Sequence, residues 1–312
     1  PFKWFLNYLR VQGSLSNQSA SFKICICNFV WYCLDLYLPL RRQRLMCIRD
    51  SIISERKKMK SILIYFAKKY KGDFYKILKA LKENERVDDT DAQAVMDELK
   101  RKNIKAFTVL DSVYPEVFKH LKTPPFVIFY KGNINLLQSE LPKISLVGEQ
   151  YNDIIQSYLD KSLSEVIKRH VVVTNGYKGV EEKINNYFLE NQGKLIFVSA
   201  NGVENPWISS RIDQDNENIL ILSEYPNTYV SYNRLKNRNR LVAALSKNLI
   251  VYSSSKTSGI QNLVNHFLMI GKEIFCFPGD TNFENDGNVE LIKQGANLIT
   301  EVKDVYKEVN FE

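Results

Sequence analysis

The densest chemistry in the sequence is a run of donors: Arg234, Lys236, Arg238, Asn239 and Arg240. All five can donate to phosphate oxygens, and a guanidinium fork engages phosphate through two bonds at once. The apolar spacing that follows predicts a helix from residue 235 to 245. That places the cations at a helix start, where the macrodipole disfavours positive charge, and an anion seated there would relieve the conflict. A second group is Lys256-Thr257-Ser258-Gly259, between a strand-like run and an apolar helix. Backbone N–H groups, two hydroxyls and an amine at one helix start make a phosphate cradle. The full P-loop pattern is missing, so hydrolysis is not implied, and Ser258 as a plain N-cap is the simpler alternative. A third feature is Gly148, directly after an apolar run, where a backbone can turn tightly toward a phosphate.

Other chemistry is not indicated. His120, His170 and His266 are isolated in sequence, no Cys/His cluster has zinc spacing, and no Gly-x-Ser-x-Gly elbow occurs. Glu181-Glu182 reads as a solvated helix face. Cys276, inside an apolar run, reads as a buried packing residue. No catalytic residue, metal or cofactor is expected, and the chain is not expected to be an enzyme.

The elements that must position these loops alternate. Short, nearly continuous apolar runs occupy residues 144–147, 171–174, 195–199, 219–222, 249–252 and 274–277, as expected for strands buried on both faces. Helical patterns lie between them at 153–169, 180–189, 235–245, 260–270 and 289–294. This alternation predicts an α/β fold with an extended Rossmann-like, doubly wound, mostly parallel sheet, whose ligands sit at the carboxyl ends of the strands. Before it, Ile62, Leu63, Phe66, Tyr70, Phe74, Ile77 and Leu81 recur at helical spacing. A second helix is expected over 91–102, with Asp89 or Thr90 near its cap. Together they predict a small helical domain.

The net charge of +8 is unevenly spread. Residues 1–58 carry +7 and residues 59–312 only +1, so any nucleic-acid binding by the body must come from a local cluster. Residues 1–58 also hold Cys25, Cys27, Cys33, Cys47 and two of the three Trp. The apolar stretch 24–40, followed by Arg41, Arg42 and Arg44, could be read as a membrane anchor. At seventeen interrupted residues it is short for a span. The expectation is a non-native extension over 1–58 with Met59 as the start, a helical domain over 59–104 and a Rossmann-like domain over 105–312. The body has no disulfide framework, which fits a reducing cytoplasm.

Several motifs occur in a familiar order. They are Asp-Ser-Val-Tyr-Pro at 111–115, Thr-Pro-Pro-Phe-Val-Ile-Phe-Tyr-Lys-Gly-Asn at 123–133 and Ile-Ser-Leu-Val-Gly at 144–148. Leu-Ser-Glu-Tyr-Pro follows at 222–226, then Arg-Asn-Arg-Leu-Val-Ala-Ala-Leu-Ser at 238–246, Ser258-Gly259, Phe-Pro-Gly at 277–279 and a run from Asp286 to Ala296. The ordered set resembles the DNA-processing protein A (DprA/Smf) family over roughly residues 105–300. The resemblance implies a non-catalytic, cytoplasmic, homodimeric protein that binds single-stranded DNA without sequence preference. It further implies protection of incoming DNA during natural transformation, and loading of the RecA recombinase in homologous recombination. Residues and resemblance together give the DNA-binding set Gly148, Gly176, Lys178, Gly179, Arg234, Arg238, Asn239, Arg240, Lys256, Ser258, Gly259 and Gly279; Tyr177 or Tyr252 could add base stacking, though both read first as partly buried sheet-edge aromatics.

This chain departs from the family pattern in places. Glu149-Gln150 stands where the family has Ser-Arg, so one phosphate contact fewer is expected. Glu181 stands where the family has Asp, and the His that follows is missing. The usual Thr-Ala pair after Ser258-Gly259 is replaced around Leu263-Val264. Many members carry a C-terminal winged-helix domain, which is not expected here. Two other readings stand beside this one. A phosphoribohydrolase-like enzyme needs Pro-Gly-Gly-x-Gly-Thr, and Pro278-Gly279 instead continues as Asp280-Thr281-Asn282. A degenerate scaffold would bind recombinase and little DNA.

Overall fold

The computed structural model describes residues 55–212, 216–279 and 285–307, so the expected extension lies almost wholly outside the described residues. Contacts divide the chain into two units, Pro1–Ile62 and Leu63–Glu312. Of the first, residues 55–62 are described and are helical.

The second unit opens with helical residues 63–69 (α1), then α2 (Phe74–Lys82) and α3 (Asp89–Arg101). The apolar stripe from Leu63 to Leu81 crosses a break that periodicity alone did not register. Lys71 (φ 51°) and Gly72 (φ 69°) reverse the chain, and Asp73 restarts it by accepting the Lys76 N–H at 3.1 Å. Helix α3 begins two residues earlier than expected, with Asp88 at its N-cap.

The sheet then follows. Its strands are β1 (Lys105–Thr108), β2 (Val127–Gly132), β3 (Lys143–Gly148), β4 (Val171–Thr174), β5 (Leu195–Val198), β6 (Ile219–Ser223), β7 (Asn248–Ser253), β8 (Ile274–Cys276) and β9 (Asn297–Leu298). They stand in the order β1-β2-β6-β5-β4-β3-β7-β8-β9. The chain lays β3 to β6 outward in one direction, returns to place β7 beside β3, and continues to β9. All pairs from β6 to β9 across the sheet are parallel, while β1–β2 and β2–β6 are antiparallel. The expected mostly parallel α/β architecture is therefore present. Strands β4 and β5 are buried along their whole length, as continuous Val/Ile/Leu runs demand.

The connecting helices are α4 (Glu116–Lys119), α5 (Asp153–Arg169), α6 (Val180–Glu190), α7 (Tyr232–Leu245), α8 (Ile260–Met269), α9 (Gly287–Lys293) and α10 (Asp304–Lys307). Helix α5 packs on α6, and α7 on α8. Among the described residues no helix is long and apolar enough to cross a membrane, and no three His, Cys, Asp or Glu are grouped to hold a metal ion. Cys276 is buried, which pushes its thiol up to about 12.

The reversal of direction between β3 and β7 makes a topological switch point, where such sheets place their ligands. The carboxyl ends of β3, β4, β6 and β7 carry the loops singled out above.

Candidate nucleic-acid interface

Helix α7 starts at Tyr232, capped by Ser231, whose Oγ accepts the Arg234 N–H at 3.4 Å. The expected start at Leu235 was three residues late, because Asn233 and Arg234 in the first turn hide the apolar pattern. Arg238 and Arg240 lie well inside the helix, so the dipole conflict touches only Arg234 and Lys236.

Arg238 and Asn239 turn inward. Arg238 is 7% exposed, and its Nη1 donates to the Asn175 carbonyl at 3.4 Å. Asn239 receives a bond from Asn175 Nδ2 at 3.4 Å and donates to Asn262 Oδ1 at 3.0 Å, tying the loop after β4 to α8. Glu181 completes this cluster, and the expected solvated face is wrong for it. It is 5% exposed, and its carboxylate accepts from Thr174 Oγ1 at 3.0 Å and from the backbone N–H groups of Asn175 and Tyr177 at 3.2 and 3.5 Å. The β4–α6 loop folds back over the first turn of α6 and brings its amides onto that carboxylate. Burial raises the Glu181 carboxyl above its ordinary range against the opposing charge of Arg238. Burial likewise pulls Arg238 down to about 10 against the charge of Glu181. Arg238 Nε and Asn175 Oδ1 are buried there without a partner among the described residues.

Arg240 faces the other way. Its Nη2 bonds Glu224 Oε1 at 2.6 Å, with the two side chains 13% and 6% exposed. Glu224 ends the Leu-Ser-Glu run after β6, and sequence spacing gave no sign of the pairing.

The glycines answer to different demands. A Cβ on Gly148 would stand 2.8 Å from the side chain of Val180, so the glycine lets β3 approach α6. Gly279 does the same against Asp286, the N-cap of α9. Gly176 (φ 70°) and Gly179 (φ 88°) hold the β4–α6 loop in the left-handed region.

Amides around the expected cradle at 256–259 are already taken up by other groups of the protein. The Lys256 N–H donates to the Asn285 carbonyl at 3.2 Å, the Ser258 N–H to the Ser255 carbonyl at 3.1 Å, and the Ile260 N–H to Ser258 Oγ at 3.0 Å. Ser258 therefore serves as a local turn residue beside Gly259, the N-cap of α8. Glu149 reaches across from β3, where its Oε2 accepts the Ser255 N–H at 3.0 Å and Ser255 Oγ at 2.8 Å. A carboxylate thus occupies two donors that a phosphate could use. The cavity lined by Gln150, Ser254 and Asn288 at the switch point measures only about 20 Å³, room for about one water.

Exposed groups ring this core. Lys178, Lys256 and Thr257 face solvent. Tyr177 is 50% exposed and meets Trp207 edge to face at 5.6 Å. Tyr252, the other stacking candidate, is fully buried with its ring on Phe277. Tyr229 and Tyr232 are 68% and 69% exposed, with Arg234 over the Tyr229 ring at 4.3 Å and Lys236 over Tyr232 at 4.2 Å. These two tyrosines and Trp207 were missed in the sequence. The Tyr-x-x-Tyr spacing beside Arg234 and Lys236 was the available signal. A Thr228 N–H bond to the Asn201 carbonyl and a Trp207 N–H bond to Asn201 Oδ1 join the two aromatic groups into one rim.

Comparison with known proteins agrees with this architecture. The family model described as DNA recombination-mediator protein A matches residues 105–310. The DNA processing protein DprA of Streptococcus pneumoniae is 31% identical over 215 residues, covering 66% of this chain and 74% of that protein. DprA of Bacillus subtilis is 27% identical over 225 residues, covering 69% and 74%. The X-ray structure of the S. pneumoniae protein superposes with a TM-score of 0.64 at 27% identity, over 76% of this chain and 83% of that one. DNA processing protein A of Helicobacter pylori, described for its single-stranded DNA binding mode, gives 0.57 at 25% identity, over 67% and 97%. With its sheet order, its motif-bearing loops and a family match over most of its length, this chain belongs to the DprA/Smf family of DNA-processing proteins.

Proposed function

We propose that this protein binds single-stranded DNA along the rim at the carboxyl ends of the strands. The carrying observation is the interleaving of exposed rings with cations, Arg234 on Tyr229 and Lys236 on Tyr232. Rings that every base can stack on, flanked by charges for the backbone, give sequence-tolerant binding. Lys178, Arg234, Lys236 and Lys256 are the phosphate contacts in this reading, and Tyr177, Tyr229 and Tyr232 the stacking surfaces. Gly176, Gly179, Arg238 and Asn239 shape the β4–α6 loop beneath them, and Gly148, Ser258, Gly259 and Gly279 set the neighbouring turns. The likeness to the H. pylori protein supports single-stranded DNA as the ligand.

On this basis we place the protein in the cytoplasm as a non-catalytic homodimer that shields single strands during DNA uptake. It then passes them to the RecA recombinase. A nuclease-protection assay tests this. The full chain should slow exonuclease digestion of a single-stranded oligonucleotide and speed recombinase filament growth on it. Equal digestion rates with and without protein would reject the protective role.

A further inference from the structure

At the opposite end of the sheet, a cavity of about 490 Å³ opens at the amino ends of β4, β3 and β7. Lys143, Lys168, Arg169 and Lys247 line it, and no Asp or Glu does among the described residues. Two of these cations have local reasons to be there. Lys168 and Arg169 end α5, where positive charge complements the helix dipole, and Arg169 pairs with Glu165 at 2.8 Å. Lys143 and Lys247 have no such reason. Lys143 opens β3 and Lys247 directly precedes the neighbouring β7, the two joined by the Lys247 N–H bond to the Lys143 carbonyl at 2.7 Å. Neither ammonium has an ion pair or hydrogen bond among the described residues.

Lys143 is moreover half-buried, and desolvation alone holds its pKa below the usual lysine value. A cation withdrawn from water with no counter-charge is unfavourable unless an anion joins it. His170 beside it is held down to about 4 by burial, with the charges of Arg169 and Lys247 adding to the effect. The cavity therefore combines unbalanced positive potential with an apolar floor that includes Leu141, Pro142 and Val305. Its volume falls in the range of small-molecule sites, roughly 300–1,000 Å³.

We propose that this cavity binds a small molecule of nucleotide size carrying two or more phosphates, with Lys143 and Lys247 as its charge partners and the apolar floor receiving its organic part. The site is separate from the rim proposed for DNA and does not depend on that assignment.

Isothermal titration calorimetry on the full chain tests it. The probes are ATP and inorganic tripolyphosphate without divalent cations, with a single-stranded thymidine oligonucleotide in parallel. ATP and tripolyphosphate are expected to bind. Lys143→Gln and Lys247→Gln should each weaken ATP by roughly tenfold, the usual effect of losing one charge-assisted contact, while Arg234→Ala leaves ATP affinity unchanged. Circular dichroism melts of both variants should match the parent, because neither lysine has a partner to lose. Absence of ATP and tripolyphosphate binding, or ATP affinity unchanged in the K143Q/K247Q double variant, would overturn the proposal. A loss confined to the oligonucleotide would overturn it too, by placing the cavity on a strand path.

Discussion

Arg240 separates structural from DNA-contacting roles most sharply. Its guanidinium meets Glu224 at 2.6 Å, with both side chains largely out of water. Arg240→Ala would leave the Glu224 carboxylate buried beside no cation, and breaking one side of a buried pair costs about 3–5 kcal/mol. For a unit of this size each kcal/mol lowers Tm by about 2–4 °C, so a fall of roughly 10 °C is expected. Removing both charges should recover most of the loss, since it is the uncompensated charge that destabilises. Arg240→Ala/Glu224→Ala should therefore melt well above Arg240→Ala alone. Thermal unfolding followed by circular dichroism measures the parent, Arg240→Ala and the double variant. Oligonucleotide affinity, taken at a temperature where every variant is folded, should change less than about threefold in Arg240→Ala. If Arg240→Ala melts like the parent yet loses affinity tenfold, Arg240 is a phosphate ligand and the account of its pairing is wrong.

Other consequences are as direct. Glu149→Gln keeps a hydrogen-bonding oxygen for Ser255 while removing negative charge from the edge of the rim. Single-strand affinity should rise about threefold near 0.1 M salt and the gain should shrink at higher salt; an unchanged affinity would put Glu149 off the DNA path. Gly148→Ala should destabilise by about 1–3 kcal/mol through overlap with Val180, and adding Val180→Ala should restore part of it in urea titrations. A Gly148→Ala chain as stable as the parent would show that β3 can move away from α6. His170 is held neutral in the fold, with its pKa down to about 4 from 6.5. Stability from this group is complete above pH 6.5 and falls as pH drops toward 4, by about 2 kcal/mol after screening. His170→Phe should flatten that slope in denaturant unfolding between pH 7 and 4, and an unaltered slope would assign the acid sensitivity elsewhere.

The central sheet was legible because buried parallel strands are short, nearly continuous apolar runs, and β3 to β8 each carry one. Strands β1 and β2 were not recognised as such: Lys105–Thr108 is four mixed residues, and β2 lies inside a proline-led motif. Strand β9, two residues long, leaves no periodicity to read. In the site, residue types were readable and directions were not. Arg238 and Arg240 differ by two helical positions, which sends them to different sides of α7. Glu181 and Glu182 are adjacent, yet a loop folding back buries the first and leaves the second half-exposed. Charge patterning sees neither event, because the arginines' directions depend on partners far off in sequence and Glu181's burial depends on how a loop folds its backbone amides back.

On the proposed reading the rim cations Lys178, Arg234 and Lys256, and not the buried Arg238 and the paired Arg240, hold the strand's phosphates. Fluorescence anisotropy of a labelled thymidine oligonucleotide against the full chain, across a series of salt concentrations, measures it directly. Log affinity should fall linearly with log salt, and each single-strand phosphate contact contributes a slope of about 0.7. The Lys178→Ala/Arg234→Ala/Lys256→Ala variant should lose about two units of that slope along with most of its affinity at low salt. A slope and affinity that survive the triple substitution, or no binding by the parent chain at low salt, would contradict it.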